Sequence, residues 1–298
     1  MKHIVELANG NKIISENTCE SFYDPTDTNH FYTMRFVFNG LESCTVGRRK
    51  LNIFPDSFAL FNVGTVYNAS INHSRPVSTL SVAIKSSVVE DFNHTFNRNN
   101  DEFLEGTGNI RPLFMETLYP FSGAMWHNMV GLKRHIDSGL RDEVLINEHL
   151  NRCLLDYHNI YRNEVSDRLD RLSSLNPATK KELFRRLLLA REFISSNFND
   201  KIYLEDISAY CCLSVNHLLR TFKAAYGITP YQYLIQVRLQ RAKLLLVGTS
   251  YPIKKVAGNV GLKDTSAFIR LFSGQEGKTP LEYRKTTIEN SSVEMNFI

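Results

Sequence analysis

The fold of this chain is decided by a segment that occurs twice in its C-terminal third. The first copy is LLRTFKAAYGITPYQY, residues 218–233, and the second, 50 positions later, is FIRLFSGQEGKTPLEY, residues 268–283. Six residues are identical at this offset: Arg220 and Arg270, Phe222 and Phe272, Gly227 and Gly277, Thr229 and Thr279, Pro230 and Pro280, and Tyr233 and Tyr283. So many identities at one spacing indicate a repeated structural unit.

Residues that typically cap or terminate helices predict the two ends of a helix in each copy. Ser214 and Asp264 are suited to cap a helix N-terminus. The repeated glycines, Gly227 and Gly277, suit the left-handed turn that ends a helix. The Thr-Pro pairs that follow can cap and begin the next helix. A helix is therefore predicted from each cap to each glycine.

A shorter amphipathic segment precedes each of these helices. It runs from Leu204 to Tyr210 in the first copy and from Ile253 to Val260 in the second, and a short turn follows it. Short helix, turn and longer helix make up the helix-turn-helix motif. A plain helical bundle is the alternative, but it does not explain why the same pattern occurs twice.

One long helix is predicted to join the two units. The units lie at about residues 202–226 and 252–276, and the connecting helix lies at about 230–247. A helix of about 18 residues, at ~1.5 Å per residue, is ~27 Å long. This length is near the ~34 Å repeat of B-DNA. One chain could therefore place two recognition helices in successive major grooves.

The charge of the chain is divided unevenly. Residues 1–177 carry 17 Lys and Arg against 21 Asp and Glu, whereas residues 178–298 carry 18 against 10. A basic C-terminal part joined to a mildly acidic N-terminal part suggests that only the former contacts a polyanion.

The composition favours a soluble cytoplasmic protein. Apolar residues make up 43% of the chain, no stretch approaches the ~20 apolar residues of a membrane-spanning helix, and the N-terminus lacks the pattern of a signal peptide. The five cysteines are scattered without C-x-x-C spacing. They predict reduced, mostly buried thiols instead of disulfides or a zinc site.

The first part of the chain, up to about residue 110, has a β pattern. It is rich in Phe, Tyr, Val and Thr and is interrupted every eight to twelve residues by turn-forming residues. The predicted strands are Phe31–Phe38, Leu51–Phe54, Phe58–Phe61, Thr65–Asn72 and Val77–Lys85. Many short strands of this kind predict a sandwich or a small barrel.

From about residue 114 to 172 the apolar period becomes helical. One stripe comprises Met125, Met129, Leu132, Ile136 and Leu140, and another comprises Leu150, Leu154, Tyr157 and Tyr161. Two amphipathic helices are predicted, which either cover the β part or pair with a second copy of the chain; we favour pairing. A linker is predicted at 173–177, where Asn176 can cap a helix that begins at Pro177.

The C-terminal part resembles the AraC/XylS family of bacterial transcription factors over about 100 residues. The matching stretches are LSVNHLLRTFK (213–223), GITPY (227–231), RLQRAKLLL (238–246), IKKVAGNVGL (253–262), FIRLFS (268–273) and GKTPLEYR (277–284). Leu262 replaces a usual Phe, Ser208 a frequent Ala, and Ser273 a usual Lys. The last change removes one possible phosphate contact.

The resemblance implies which residues contact DNA. Base contacts are expected from Asn216 and Arg220, with Val215 and His217 nearby, and from Thr265, Ser266 and Arg270 in the second unit. Arg pairs well with guanine and Asn with adenine, while the short Thr265 and Ser266 suggest fewer base contacts. Phosphate contacts, which set affinity and register, are expected from Lys223, Lys254, Lys255, Lys263 and Arg284.

The resemblance also implies a fold for the rest of the chain. The expected protein is of the α+β class, with an effector-binding, cupin-like β-barrel and dimerisation helices at 1–172, a linker at 173–177 and an all-α DNA-binding domain at 178–298. Tyr32, Arg35, Phe61 and Tyr67 are candidates to bind a small effector such as a sugar. The barrel could instead serve only for dimerisation or for contact with another protein.

An enzyme is the remaining alternative, because cupin folds also house metal sites. Such a site needs a close His pair with further ligands, whereas His30, His73 and His94 are widely spaced. G-x-S-x-G, a phosphate-binding glycine loop and H-E-x-x-H are also absent from the sequence. The sequence therefore predicts no enzyme, no metal and no cofactor. It predicts an effector-responsive, dimeric activator that binds double-stranded promoter DNA and, by family analogy, RNA polymerase.

Overall fold

The computed structural model describes residues 1–24, 28–96, 114–172 and 176–295. The chain forms two compact units, Met1–Arg171 and Leu172–Ile298. The described part of the first unit combines an antiparallel sheet with helices, and that of the second is helical. The predicted combination of a β-rich N-terminal part with a helical C-terminal part is confirmed.

One antiparallel sheet organises the first unit. Its described strands are β1 (Lys2–Glu6), β2 (Lys12–Tyr23), β3 (Phe31–Asn39), β4 (Glu42–Val46), β5 (Arg49–Ile53), β6 (Ser57–Phe61), β7 (Asn68–Lys85) and β8 (Leu118–Pro120). The order is β1-β2-β7-β3-β6-β8, while β4 pairs with β5 and with the beginning of β7. Within the described residues, no ladder joins β1 to β8, so the strand pairing alone does not close the sheet.

The longest strand, β7, corrects the prediction of two separate strands. Thr65–Asn72 and Val77–Lys85 were predicted as two strands, with residues 73–76 outside both. The chain instead passes through these exposed residues without reversing, and the register of β2 shifts beside them between Thr18 and Glu20. The long β7 can therefore pair with β4 near its start and with β3 near its end.

The two faces of the sheet pack against different partners, because successive side chains of a strand point to opposite sides. Arg35 and Val37 of β3 lie on the interior face. The interior apolar cluster consists of Val37, Cys44, Leu51, Ile53, Ala59, Phe61, Tyr67, Ala69, Ile71, Val77 and Leu118. Tyr32, Met34 and Phe36 lie on the other face, where Phe36 contacts Phe121 with the ring centroids 5.0 Å apart.

Helices cover this second face. The α-helices in the described part of the first unit are α1 (Ser86–Phe96), α2 (Gly123–Asp137), α3 (Glu143–Tyr161) and α4 (Asp167–Asp170). Cys153 Sγ of α3 lies 3.6 Å from Met34 Sδ of the sheet and 3.7 Å from Met125 Sδ of α2. The ring of Tyr157 also contacts that of Phe58 on β6.

The predicted helical stripes are therefore used inside the unit. All their members from Met125 to Ile136 and from Leu150 to Tyr157 are buried. Leu140 is an exception, because α2 ends at Asp137 and leaves this leucine 59% exposed. Of the two roles predicted for these helices, covering the sheet accounts for the buried stripes. Pairing with a second copy of the chain would have to use another face of the helices.

The second unit contains seven described helices. They are α5 (Pro177–Ser196), α6 (Leu204–Tyr210), α7 (Val215–Tyr226), α8 (Pro230–Gly248), α9 (Ile253–Asn259), α10 (Thr265–Glu276) and α11 (Pro280–Met295). The predicted cap of α5 is confirmed, since the Asn176 side chain accepts a hydrogen bond from Thr179 N at 2.8 Å. Among the residues that the structure describes, no helix has both the length and the apolar character needed to cross a membrane.

Five of the six repeated identities maintain this fold. The Phe222 ring meets Tyr233 edge to face at 5.8 Å, and Phe272 meets Tyr283 in the same way at 5.4 Å. Each repeated glycine ends its helix in the left-handed region, with φ of 75° and 69°. Each repeated threonine caps the next helix, at Pro230 and at Pro280, through reciprocal hydrogen bonds with Gln232 or Glu282.

Candidate DNA interface

The turns of the two helix-turn-helix units share one backbone hydrogen bond and one left-handed residue. Leu213 N donates to Ser208 O at 3.0 Å in the first unit, and Leu262 N donates to Ala257 O at 2.9 Å in the second. Cys212 and Gly261 occupy the matching left-handed position, with φ of 54° and 75°. The two turns therefore share this hydrogen bond and this left-handed residue, but the second has one more residue, Lys263, before the cap of its longer helix.

Side-chain caps then fix where the longer helices begin. Ser214 Oγ accepts from His217 N at 3.4 Å, and Asp264 Oδ1 accepts from Ser266 N at 2.8 Å and Ala267 N at 3.2 Å. Both predicted N-caps are confirmed. On α7, Asn216, Arg220 and Lys223 are exposed and share one face, because residues three and four apart are neighbours on a helix.

The corresponding face of α10 carries smaller side chains. Ser266 and Arg270 are exposed, whereas Thr265 is half-buried. Ser273 takes the place of Lys223, is half-buried, and its hydroxyl group is buried. In the first unit, Val215 and His217 are likewise half-buried, which leaves Asn216 and Arg220 as the more accessible of the predicted base-contacting residues there.

Arg220 and Arg270 differ from the other repeated residues. Both are exposed, and neither makes a hydrogen bond or an ion pair within the part of the chain that the structure describes. The Phe, Gly, Thr, Pro and Tyr identities are accounted for by packing and capping, but this arginine pair is not. A partner outside the chain is the simplest reason for repeating it.

Three lysines lie on the second helix-turn-helix unit. Lys254, Lys255 and Lys263 are all exposed, as expected for side chains that reach phosphate. Lys255 is also positioned by its surroundings, since its Nζ lies 3.8 Å from the centroid of the Tyr251 ring. A cation over an aromatic ring is held by the ring quadrupole, so this ammonium group is presented in a defined place.

Arg284 has an internal role that the sequence did not indicate. Its Nε donates to Leu246 O at 3.0 Å and its Nη2 donates to Tyr251 O at 2.6 Å. The side chain thereby ties α11 to the end of α8 and to the loop that leads into α9. The phosphate contact that the family resemblance implies for Arg284 stays a prediction, and it would have to use donors other than the Nε and Nη2 hydrogen atoms bound to these carbonyls.

Arg238 has the same structural role in the first helix-turn-helix unit. No role was predicted for it from the sequence. Its Nε donates to Phe198 O at 2.8 Å and its Nη2 to Asp200 O at 2.9 Å, which fixes the loop that leads into α6. The signal was present in the sequence. Arg238 interrupts the apolar stripe of the connecting helix between Val237 and Leu239, and a buried arginine needs acceptors.

The predicted effector residues are divided between the two faces of the sheet. Arg35, Phe61 and Tyr67 come together in the interior, where the rings of Phe61 and Tyr67 stack at 4.1 Å. Tyr32 lies on the opposite face against Phe114, with the ring centroids 5.3 Å apart. Alternation along the predicted strand Phe31–Phe38 already separates Tyr32 from Arg35, whereas the grouping of Arg35 with Phe61 and Tyr67 depends on how the strands pair.

Polar groups meet inside the sheet around Arg35. The guanidinium donates to both carboxylate oxygens of Glu42, at 2.8 and 2.5 Å, and it lies 5.1 Å from the centroid of the Tyr23 ring. Burial raises the pKa of Tyr67 to about 12, although the Arg35 charge partly offsets this. The Tyr67 hydroxyl is buried without a well-formed hydrogen bond among the described residues.

Metal ligands do not assemble in the part of the chain that the structure covers. No group of three or more His, Cys, Asp or Glu side chains is arranged there to hold a metal ion. The described cysteines are all free; Cys44, Cys153 and Cys211 are buried, while Cys19 and Cys212 are exposed.

Two helix-turn-helix units, each with an exposed arginine on its longer helix, define a DNA-binding domain. Residues 207–286 match the family model described as a helix-turn-helix domain. This stretch of the chain is an AraC-type helix-turn-helix domain, in agreement with the resemblance seen in the sequence.

Known relatives match this part of the chain. The bifunctional transcriptional activator/DNA repair enzyme AdaA of Bacillus subtilis is 39% identical over 97 residues, which cover 33% of this chain and 46% of the relative. The arabinose operon regulatory protein of Escherichia coli is 31% identical over 117 residues, or 39% of this chain and 40% of the relative. The chain thus spans less than half the length of each of these curated relatives.

A solved structure is similar over the same region. It is the C-terminal domain of the two-component response regulator yesN from Fusobacterium nucleatum, with 34% identity and a TM-score of 0.31. The match covers 32% of this chain and 94% of that one.

Proposed function

We propose that this protein is a transcription regulator that binds promoter DNA through its two helix-turn-helix units and activates transcription in the cytoplasm. The observation that carries the proposal is the exposed, repeated pair Arg220 and Arg270, which has no structural task in the described residues. An arginine in the middle of a recognition helix can form two hydrogen bonds with guanine in the major groove. The relatives named as operon regulators and activators support the same conclusion.

The proposal is tested by selecting bound duplexes from a random pool with the full chain. A common sequence motif should emerge, and its affinity should fall steeply with salt because bound lysines and arginines release counterions from the phosphates. Recovery of unrelated sequences bound with equal affinity would show that these helices do not recognise bases.

Replacing Arg220 by alanine should cost about 1–3 kcal/mol of discrimination at one position of the selected site, because one bidentate contact is lost. The measurement is a titration of the selected duplex and of its single-base variants. Arg141→Ala, which removes an exposed charge from the N-terminal unit, serves as the matched control and should leave the preferences unchanged. An equal loss for all base variants would contradict a base contact at Arg220.

The N-terminal unit is proposed to be a cupin-like barrel that responds to a small polar effector such as a sugar. Support comes from the long β7, which pairs with β2, β3 and β4 beside the interior cluster. The group proposed to hydrogen-bond to the effector is the Tyr67 hydroxyl, which is buried in the interior of the sheet. A bound effector raises the melting temperature of the chain, and Tyr67→Phe should reduce that rise. No rise with any sugar tested would favour a barrel used only for protein contact.

A homodimer is proposed to form through the outer face of α3. Val144 and Leu155 are 81% and 39% exposed, and they lie about three turns apart on the side opposite the buried stripe. Double replacement by glutamate should convert a dimer into a monomer in sedimentation experiments. Val66→Glu, at a residue 69% exposed outside this helix, should leave the dimer intact. A wild-type chain that sediments as a monomer would contradict the proposal.

A further inference from the structure

The two helix-turn-helix units present opposite charges at the start of their first helices. The first turn of α6 contains Glu205 and Asp206, whereas the matching turn of α9 contains Lys254 and Lys255. All four side chains are exposed. In a helix-turn-helix motif the first helix crosses the DNA backbone, so we expect this difference in charge to change the attraction to phosphates.

The recognition helices differ in the complementary way. The exposed face of α7 offers an amide at Asn216, a guanidinium at Arg220 and an ammonium at Lys223. The matching positions of α10 are Ser266, Arg270 and Ser273, of which only Arg270 has a long, exposed polar side chain. Ser273 turns its hydroxyl inward, and the neighbouring Ile269 is 37% exposed.

Small and apolar side chains recognise fewer base edges than Asn or Arg, because they offer fewer directed hydrogen bonds. Lysines that contact phosphate raise the affinity for every sequence alike. The ammonium of Lys255, held over the Tyr251 ring, is suited to such a contact. The first unit therefore has the chemistry for discrimination, and the second has the chemistry for sequence-independent attachment.

We propose that the two units divide the work on DNA. The first unit, through Asn216 and Arg220, supplies most of the base discrimination. The second, through Lys254, Lys255 and Lys263, supplies mainly affinity for the backbone, with Arg270 as its principal base contact. This inference rests on the proposed DNA-binding function and adds which half of the binding site carries the sequence information.

Matched substitutions in the full chain test the division. Asn216→Ala should reduce base discrimination in one half of the selected site by roughly fivefold or more, whereas Ser266→Ala, at the equivalent position, should change the preferences less than twofold. Lys254→Gln combined with Lys255→Gln should weaken specific and random duplexes by the same factor. The slope of log K against log salt should then become shallower by about 1.8, which corresponds to two phosphate contacts.

Glu205→Gln, in the first helix-turn-helix unit, is a control with the opposite expected effect. It removes a negative charge near phosphate and should strengthen binding to all duplexes. Circular dichroism of each variant checks that the helices are retained. The division is wrong if Ser266→Ala relaxes base preference as much as Asn216→Ala, or if the lysine substitutions change relative preferences instead of overall affinity. Failure of the proposed function itself looks different, because the unsubstituted chain would then select no sequence at all.

Discussion

Replacing Glu42 by leucine is expected to lower the free energy of unfolding of the N-terminal unit by about 3–5 kcal/mol, which is the typical cost of removing one partner of a buried ion pair. Arg35 and Glu42 are only 4% and 1% exposed. Burial acts to lower the pKa of Arg35, but the charge and hydrogen bonds of Glu42 outweigh it and hold that pKa above its ordinary value. Without Glu42, a guanidinium that cannot lose its proton remains in an apolar interior.

Urea unfolding followed by tryptophan fluorescence measures this effect. Trp126 is the single tryptophan of the chain and lies in α2, so its signal reports on the N-terminal unit. The combined Arg35→Met and Glu42→Leu variant should recover most of the lost stability, because it removes both charges and keeps similar volumes. A single substitution that costs less than about 1 kcal/mol would show that the pair is solvated.

Replacing Gly261 by alanine should destabilise the second helix-turn-helix unit for two separate reasons. Its φ of 75° lies in the left-handed region, which costs a residue with a Cβ atom about 1–2 kcal/mol. A Cβ there would also lie 2.7 Å from Asn199 O and 3.0 Å from Arg238 Nη2, and such overpacking costs about a further 1–3 kcal/mol. Displacement of Arg238 would loosen the loop that leads into α6 as well.

Gly277→Ala is the matched control, since its φ of 69° is similar but a Cβ would meet nothing within 4 Å. Thermal unfolding monitored by circular dichroism should show the larger loss for Gly261→Ala, together with weakened DNA binding. Equal losses for the two variants would mean that the contact with Asn199 relaxes without cost.

The helical C-terminal unit could be predicted closely from the sequence because the residues that begin and end its helices act locally. Caps at Ser214 and Asp264 and the left-handed glycines each act within one turn of chain. The predicted connecting helix at about 230–247 is accordingly observed as Pro230–Gly248. The internal role of Arg284 was not predicted for the opposite reason, since its carbonyl partners lie 33 and 38 residues away in sequence.

The N-terminal unit was harder to predict because its strands are paired over long distances. β2 is largely polar and was not expected, and its hydrogen bonds to β7 decide its structure. Residues 73–76 lie between the two predicted strands, yet the pairing on either side keeps the chain extended. The grouping of Arg35 with Tyr67 likewise follows from strand register and not from residue type.

The most direct test of the central claim is a hydroxyl-radical footprint of the full chain on its selected duplex. A connecting helix of 19 residues is ~28 Å long at ~1.5 Å per residue, so two recognition helices should enter successive major grooves. The predicted result is two protected blocks about one helical turn, or roughly 10 base pairs, apart on one face of the DNA. A single protected block that is unchanged by substitution of Arg270, or uniform protection without a defined site, would contradict two repeated units acting together on DNA.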